Sequence, residues 1–235
     1  MRDTLHPNCE TCGARVTSVF ATLTGLEITE VNSGKSCHSI KRGEKVFSEG
    51  QYARGLYCMH FGHVKIVRYG HDGREQILRF AGAGDTIGYA AMLTGEPYTI
   101  EAIAVEDSAV CFVPTEMIQR YLRDNTHLAL NVMQIMSHEL QDTERRVVEL
   151  AQKTVRERVA EALLVLRETF GTEEDGETLN LPLTREEIAD IVGTAPESLI
   201  RMLGDLKASD IIETKGRRIR VKNLRALIDA ANVND

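Results

Sequence analysis

The apolar positions of this chain change their period twice. Between residues 38 and 114 they fall in short runs rich in Val, Ile, Phe and Tyr, broken at close intervals by glycines 43, 50, 62, 70, 73, 82, 84 and 88. LYCMHF, HVKIVRY, EQILRF, IEAIAV and AVCFVP each read as a strand, with a turn at Gly73 between the second and third. Short strands at this spacing predict a small all-β barrel. From about residue 117 to residue 152 the period lengthens. Ala129, Met133, Met136, Leu140, Thr143, Val147 and Leu150 recur at alternating spacings of four and three, the a/d seam of a coiled coil. Such a seam asks for a partner helix; the alternative is one helix packed on its own barrel. After Lys153 and Thr154, VRERVAEALLVLRETF predicts a further helix with Val155, Val159, Leu163 and Leu166 inward.

Residues 183–212, LTREEIADIVGTAPESLIRMLGDLKASDII, read as two short helices across a tight turn, a helix-turn-helix. Thr184 with Glu187 predicts a capping box, Ile188, Ala189, Ile191 and Val192 an apolar face, and Gly193 a stop. Thr194 with Glu197 predicts a second capping box, with Pro196 in the first turn and Leu199, Met202, Leu203 and Leu206 as the inner stripe. Glu197, Ser198, Ile200 and Arg201 are then turned outward, as a helix in a DNA major groove requires. IIETKGRRIRV, residues 211–221, predicts a hairpin wing turning at Lys215, Gly216 and Arg217. The alternative is an all-α packing module carrying a solvated charged hairpin.

Charge sharpens that contrast. The chain as a whole carries −7, yet from residue 194 to 225 eight basic residues exceed four acidic ones by four charges. A basic stripe on an acidic protein points to phosphate contact by one face. The expected DNA-facing set is Thr184, Thr194, Pro196, Glu197, Ser198, Ile200, Arg201, Lys215, Arg217 and Arg218. Residues 171–177, GTEEDGE, form a glycine-bounded acidic loop read as a solubility element or a contact for other proteins. At 235 residues and 43% hydrophobic the chain can bury a proper core. The N-terminus shows no leader and no run has the length of a bilayer crossing, so a cytoplasmic protein without membrane contact is expected. Phosphate loops, H-E-x-x-H and nucleophile elbows are missing, which argues against an enzyme.

These features resemble the CRP/FNR superfamily of bacterial transcription regulators, closer to the FNR-like branch than to the cyclic-AMP-binding one. RGEKVFSEG, LYCMHFGHVKI and GREQILRFAGAGDTIGY resemble its cyclic-nucleotide-binding-like jelly roll, and the C-terminal segment its winged helix-turn-helix. The resemblance implies an α+β fold: an N-terminal segment at 1–21 with a C-x-x-C, a jelly-roll sensor at 22–116, a dimerisation helix at 117–152 and a winged helix-turn-helix at 153–235. It also implies a homodimer on palindromic double-stranded DNA that recruits or blocks RNA polymerase. Arg201 falls on the family's guanine-reading arginine and Glu197 on its cytosine-accepting acid. Pro196 stands where the catabolite-activator branch has arginine and Ile200 where the oxygen-sensing branch has serine, leaving a half-site related to TTGA or TGA.

The signal is less determined. In the resembled cyclic-nucleotide pocket, Gly88 is followed by Tyr89 instead of glutamate, and the Arg-Ser pair is Tyr98-Thr99. A cyclic phosphate buried without its arginine is left unpaired, so cyclic AMP is disfavoured; Tyr89 and Tyr98 are expected to fill the barrel. Five cysteines argue for reduced thiols or metal ligation over a disulfide framework. Cys9 and Cys12 form the C-x-x-C, and Cys111 falls where oxygen-sensing members carry the fourth ligand of a [4Fe-4S] cluster. The family's third thiolate is replaced by Ser18, leaving Cys37, His6 or His38 as substitutes. Three alternatives stay open: a cluster, a zinc site from the same residues, or ordinary buried strand cysteines with a relic C-x-x-C. A redox or metal-binding protein built on Cys9 and Cys12 is the competing function, though no thioredoxin-like βαβ unit follows them.

Overall fold

The computed structural model describes residues 7–233, in two compact units, the first of residues up to 74 and 78–141, the second of residues 75–77 and from 142 onward. The first unit opens with a 3-10 turn at Gly13–Thr17 and helix α1 (Gly25–Gly34). The strands follow: β1 (Ser36–Ile40), β2 (Lys45–Phe47), β3 (Gly55–Phe61), β4 (Val64–Tyr69), β5 (Glu75–Ala81) and β6 (Thr86–Ile87). Helix α2 (Tyr89–Thr94) interrupts them before β7 (Glu101–Ala104) and β8 (Ser108–Pro114). Two four-stranded sheets result, ordered β1-β8-β3-β6 and β2-β7-β4-β5. Phe47, Met59, Ile66, Ile87, Ala102 and Val110 from both sheets form one buried core, the interior of the jelly roll. The turn between β4 and β5 uses Gly73 at φ +75°, a conformation a side chain would strain.

A second core lies on the outer face of the first sheet. Leu56 and Val113 of that sheet pack there with Phe20, Ile28 and Val31 from the N-terminal segment and α1. Helix α3 (Thr115–Asp124) and helix α4 (Thr126–Gln152) close it with Ile118, Tyr121, Leu128 and Val132. The helical stretch expected from residue 117 is therefore two helices. Asn125 breaks it, its side-chain oxygen accepting the Leu128 N–H at 3.0 Å as a cap for α4 while its amide donates to Glu27 at 2.7 Å. The helix α1 went unread because its apolar positions form no single stripe, Leu26 being 88% exposed while Ile28 and Val31 are buried.

In the second unit, α5 (Val155–Phe170), α6 (Arg185–Val192), α7 (Pro196–Ala208), the hairpin β9 (Ile212–Lys215) and β10 (Arg218–Val221), and α8 (Leu224–Ala231) surround one core. Val159, Leu163, Leu166, Ile188, Leu199, Leu206 and Leu227 are almost fully buried in it. Each such side chain contributes about 1.5–3 kcal/mol through removal from water, so the orientation of α7 is set by its sunken stripe.

Candidate nucleic-acid interface and thiol cluster

The helix α6 starts as its sequence predicts. Thr184 Oγ1 accepts the Glu187 N–H at 3.2 Å and the Glu187 carboxylate accepts the Thr184 N–H at 2.9 Å, while Gly193 ends the helix at φ +68°. The start of α7 departs from expectation. Thr194 and Glu197 form no capping box; Ala195 is the N-cap, at φ −71° and ψ 147°, and Pro196 is the first helical residue. The cause is the proline, whose ring drives the preceding residue out of helical geometry and so places the boundary after Ala195. Leu199, Leu203 and Leu206 point inward; Glu197, Ile200 and Arg201 are exposed together on the other face, Ile200 by 59%. Ser198, Thr194, Pro196 and Thr184 are half-buried around that face.

The wing turns at Gly216 and Arg217, with Gly216 at φ +58° and the Gly216 carbonyl accepting from Arg185 at 3.3 Å. Arg185 was not singled out from sequence; its burial lowers its pKa, and it ties the wing tip to the start of α6. Lys215 and Arg217 are exposed at the tip. Arg218 is exposed as well but pairs with Glu173, and Arg220 pairs with Glu177 at 2.6 Å. The acidic loop is thus folded onto the wing, where the Leu179 N–H donates to Ile219 O at 2.9 Å and the Val221 N–H to Glu177 O at 2.9 Å. Asp175 tightens the loop by accepting from Thr178 Oγ1 and from two backbone N–H groups, which brings its carboxyl down to about 2. Its role as a free solubility element is corrected: the four acids between residues 173 and 177 offset the four-charge excess downstream.

In the barrel, Tyr98 stacks on Phe47 with ring centroids 4.0 Å apart, and its phenol reaches to within 3.1 Å of where a Cβ on Gly88 would stand. Burial pushes the Tyr98 phenol up. Tyr98 fills the barrel, but Tyr89 does not: it begins α2 facing the outer core with Met92. Thr99 is exposed.

The thiols gather on the outer face of the first sheet. The strand register places Cys37 opposite Cys111 and Cys111 opposite Cys58, one row across β1, β8 and β3. Cys37 and Cys111 are joined as a disulfide with Cα atoms 4.1 Å apart, contrary to the expectation of reduced thiols or metal ligands. That pairing follows from the antiparallel register, which sequence spacing does not reveal. Cys9, Cys12, Cys58 and Cys111 line one cavity of about 40 Å³ with Lys35, His60 and Ser18. Lys35 Nζ donates to Cys9 Sγ at 3.0 Å, and Cys12 Sγ lies 3.5 Å from His60 Nδ1. Cys58, half-buried beside Thr86, has its thiol pushed up to about 12 by desolvation. His38 is exposed and bonds Ser36 instead, and His6 lies outside the described residues. A [4Fe-4S] cluster does not fit this arrangement. Ser18 stands at the third thiolate, Cys111 is occupied by Cys37, the cavity has room for only about three waters, and no three His, Cys, Asp or Glu side chains among the described residues gather as a metal site.

No helix among the described residues is long and apolar enough to cross a membrane. Residues 37–125 match the cyclic nucleotide-binding domain, and residues 157–230 match the Crp-like helix-turn-helix domain. The fumarate and nitrate reduction regulatory protein of Vibrio cholerae is 28% identical over 229 residues, 97% of this chain and 91% of that one. The CRP-like cAMP-activated global transcriptional regulator of Mycobacterium tuberculosis is 29% identical over 187 residues, covering 79% of this chain and 84% of that one. The structure of FixK2 from Bradyrhizobium japonicum superposes with a TM-score of 0.75 at 25% identity, over 86% of this chain and 99% of that one. With both domains matched in this order and regulators aligned along most of its length, the chain belongs to the CRP/FNR family of transcription regulators, with a helix-turn-helix DNA-binding domain.

Proposed function

We propose that this protein is a homodimeric, sequence-specific regulator of transcription that works in the cytoplasm and reads palindromic DNA under control of a signal in its N-terminal unit. The observation that carries the reading is the face of α7 on which Glu197, Ile200 and Arg201 stand exposed while the opposite face is locked into the core. In the major groove Arg201 donates to guanine O6 and N7, Glu197 accepts from cytosine N4, and Ile200 meets a thymine methyl. Thr194, Pro196 and Ser198 border the groove, Thr184 starts the helix that crosses the backbone, and Lys215 and Arg217 reach phosphates from the wing. Arg218 is held by Glu173 and has a smaller part.

Dimerisation is supported by the seam on α4. Leu128 and Val132 bury one side of the helix in its own unit, yet Met133, Met136, Leu140, Val147 and Leu150 stay exposed, and Thr143 lies among them. Two copies joined there set two recognition helices about one DNA turn apart, roughly 34 Å, and the bound dimer recruits or blocks RNA polymerase. Cyclic AMP is an unsuitable signal, since an aromatic stack occupies the barrel where a phosphate needs an arginine. The thiols make a redox signal the better-supported one.

The test is Arg201→Ala, read by fluorescence anisotropy on a TTGA-type palindrome. Loss of the base contact is worth about 1–3 kcal/mol, a weakening of about 5- to 150-fold per site, with the dimer unchanged by light scattering. Unaltered sequence-specific affinity sinks the assignment of α7 as the recognition helix.

A further inference from the structure

Cys111 is the middle member of a row of three cysteines, and only one neighbour is bonded to it. Strand pairing holds its Cα 4.1 Å from that of Cys37, and the two are 74 residues apart in the chain. The S–S bond can therefore open and close with no change of register. On the other flank Cys58 turns its sulfur toward Thr86 Oγ1, 3.8 Å away. Cys111 also lines the cavity that half-buried Cys9 and Cys12 border, so a small oxidant can reach it from the N-terminal segment.

We propose that Cys37 and Cys111 are an oxidative modification site, a reversible dithiol–disulfide pair whose co-substrate is a hydroperoxide. This rests on the reading of the chain as a DNA-binding regulator only for its consequence, not for its chemistry. The Cys111 sulfur attacks one oxygen of hydrogen peroxide and the O–O bond breaks, leaving a sulfenic acid and one water. The Cys37 thiol then attacks that sulfur, forming S–S and releasing a second water. Two thiols give up two hydrogens and two electrons, and the peroxide becomes two waters. A small dithiol reverses the bond by exchange. Disulfides in proteins that work beside bacterial DNA are mostly transient or sensing, because the compartment keeps thiols reduced.

The bond sits where it can be felt. Cys37 follows α1 within three residues, and β8 runs from Cys111 into α3. The two helices are already tied, Tyr121 donating to Glu30 at 2.7 Å, Arg120 pairing with Glu30 at 2.5 Å, and Asn125 donating to Glu27 at 2.7 Å. Closing the disulfide joins β1 to β8 covalently beside the non-covalent ties between α1 and the α3–α4 junction, at the root of α4, the helix that bears the seam. Opening it frees that root, a bias on the helix pair.

The experiment uses the full chain purified without oxygen, reduced with dithiothreitol, desalted, and divided into untreated and peroxide-treated halves. Each half is alkylated and mapped by non-reducing peptide mass spectrometry, assayed for iron and acid-labile sulfide, and titrated with palindromic DNA. The expected result is five alkylated thiols before peroxide and a Cys37–Cys111 peptide after it, reversed by dithiothreitol, with DNA affinity differing about tenfold or more between the halves. Cys58→Ser keeps the bond, whereas Cys37→Ser and Cys111→Ser lose it; the wild-type map stands even where a variant fails to fold. A bond mapped to Cys9–Cys12, irreversible sulfonic acid at Cys111, or iron and sulfide that shield Cys111 from alkylation would each overturn the proposal. Equal DNA affinity in both halves overturns the regulatory consequence. Absence of DNA binding in both halves, with the bond formed, strikes the reading as a regulator and leaves the oxidation site standing.

Discussion

Replacing Glu173 and Glu177 together by glutamine isolates the contact between acidic loop and wing. Both ion pairs are largely solvent-exposed, their side chains between 36% and 62% accessible, so each adds about 0–1 kcal/mol to stability and the melting temperature should barely move. Glutamine keeps the size and the backbone bonds of the loop, including the Val221 N–H to Glu177 O link, and Asp175 still closes the turn. What changes is charge. Each protomer gains two positive charges on the wing, and Arg218 and Arg220 are released toward the phosphates. Each new phosphate contact steepens the dependence of log affinity on log salt by about 0.9. Two contacts per protomer, four per bound dimer, then make affinity fall about 150-fold more than wild type between 50 and 200 mM salt. Anisotropy titrations of wild type and double variant on one palindrome and on unrelated DNA, across that salt range, supply the slopes. Tighter binding at low salt on both DNAs, with a steeper slope, is expected. An unchanged slope, or weaker binding, refutes the idea that the loop competes with phosphate and implies that the acids hold the arginines in their DNA-contacting pose.

Other outcomes follow from the same contacts. Thr184→Ala removes the acceptor for the Glu187 N–H and half of the box at the start of α6, costing about 1 kcal/mol; chemical denaturation should show that loss, and a change under a few tenths argues against the cap. Leu140→Glu puts a charge on the exposed seam of α4, where two copies would face each other, and should convert dimer to monomer by light scattering without unfolding. A variant that remains dimeric moves the interface elsewhere. Cys58, its thiol raised from an ordinary 9.0 to about 12 by burial, should react with iodoacetamide at pH 8 about a thousandfold more slowly in the folded protein than in urea. The sign for stability follows. Below pH 9 neither state ionises this thiol, and between 9 and 12 only the unfolded chain does, so folding weakens as pH rises through that window. Labelling of Cys58 in the folded protein as fast as in urea contradicts its raised pKa.

Most of the architecture follows from short-range patterns. The period of two between residues 55 and 114 and the period near 3.6 after residue 184 arise from how successive side chains leave a strand or helix, and those rules act within one element. The Thr184 box and the Gly193 stop were therefore legible, as was the outward face of α7 with Arg201. The α7 cap was misread at Thr194: Pro196 sets the boundary after Ala195, because proline restricts the residue before it. Tertiary structure alone decided the rest. Whether Cys111 meets Cys37, Cys58 or a metal depends on strand register across 74 residues, and no local propensity encodes that distance. The same holds for the acidic loop, whose charges read as solvated until folding brought Glu173 and Glu177 against Arg218 and Arg220. Tyr89 and Tyr98 look alike in sequence but part company because α2 turns one to the outer core and the following loop turns the other into the barrel. Sequence determines which elements form and which faces they hide; the packing of distant elements determines which reactive groups become neighbours.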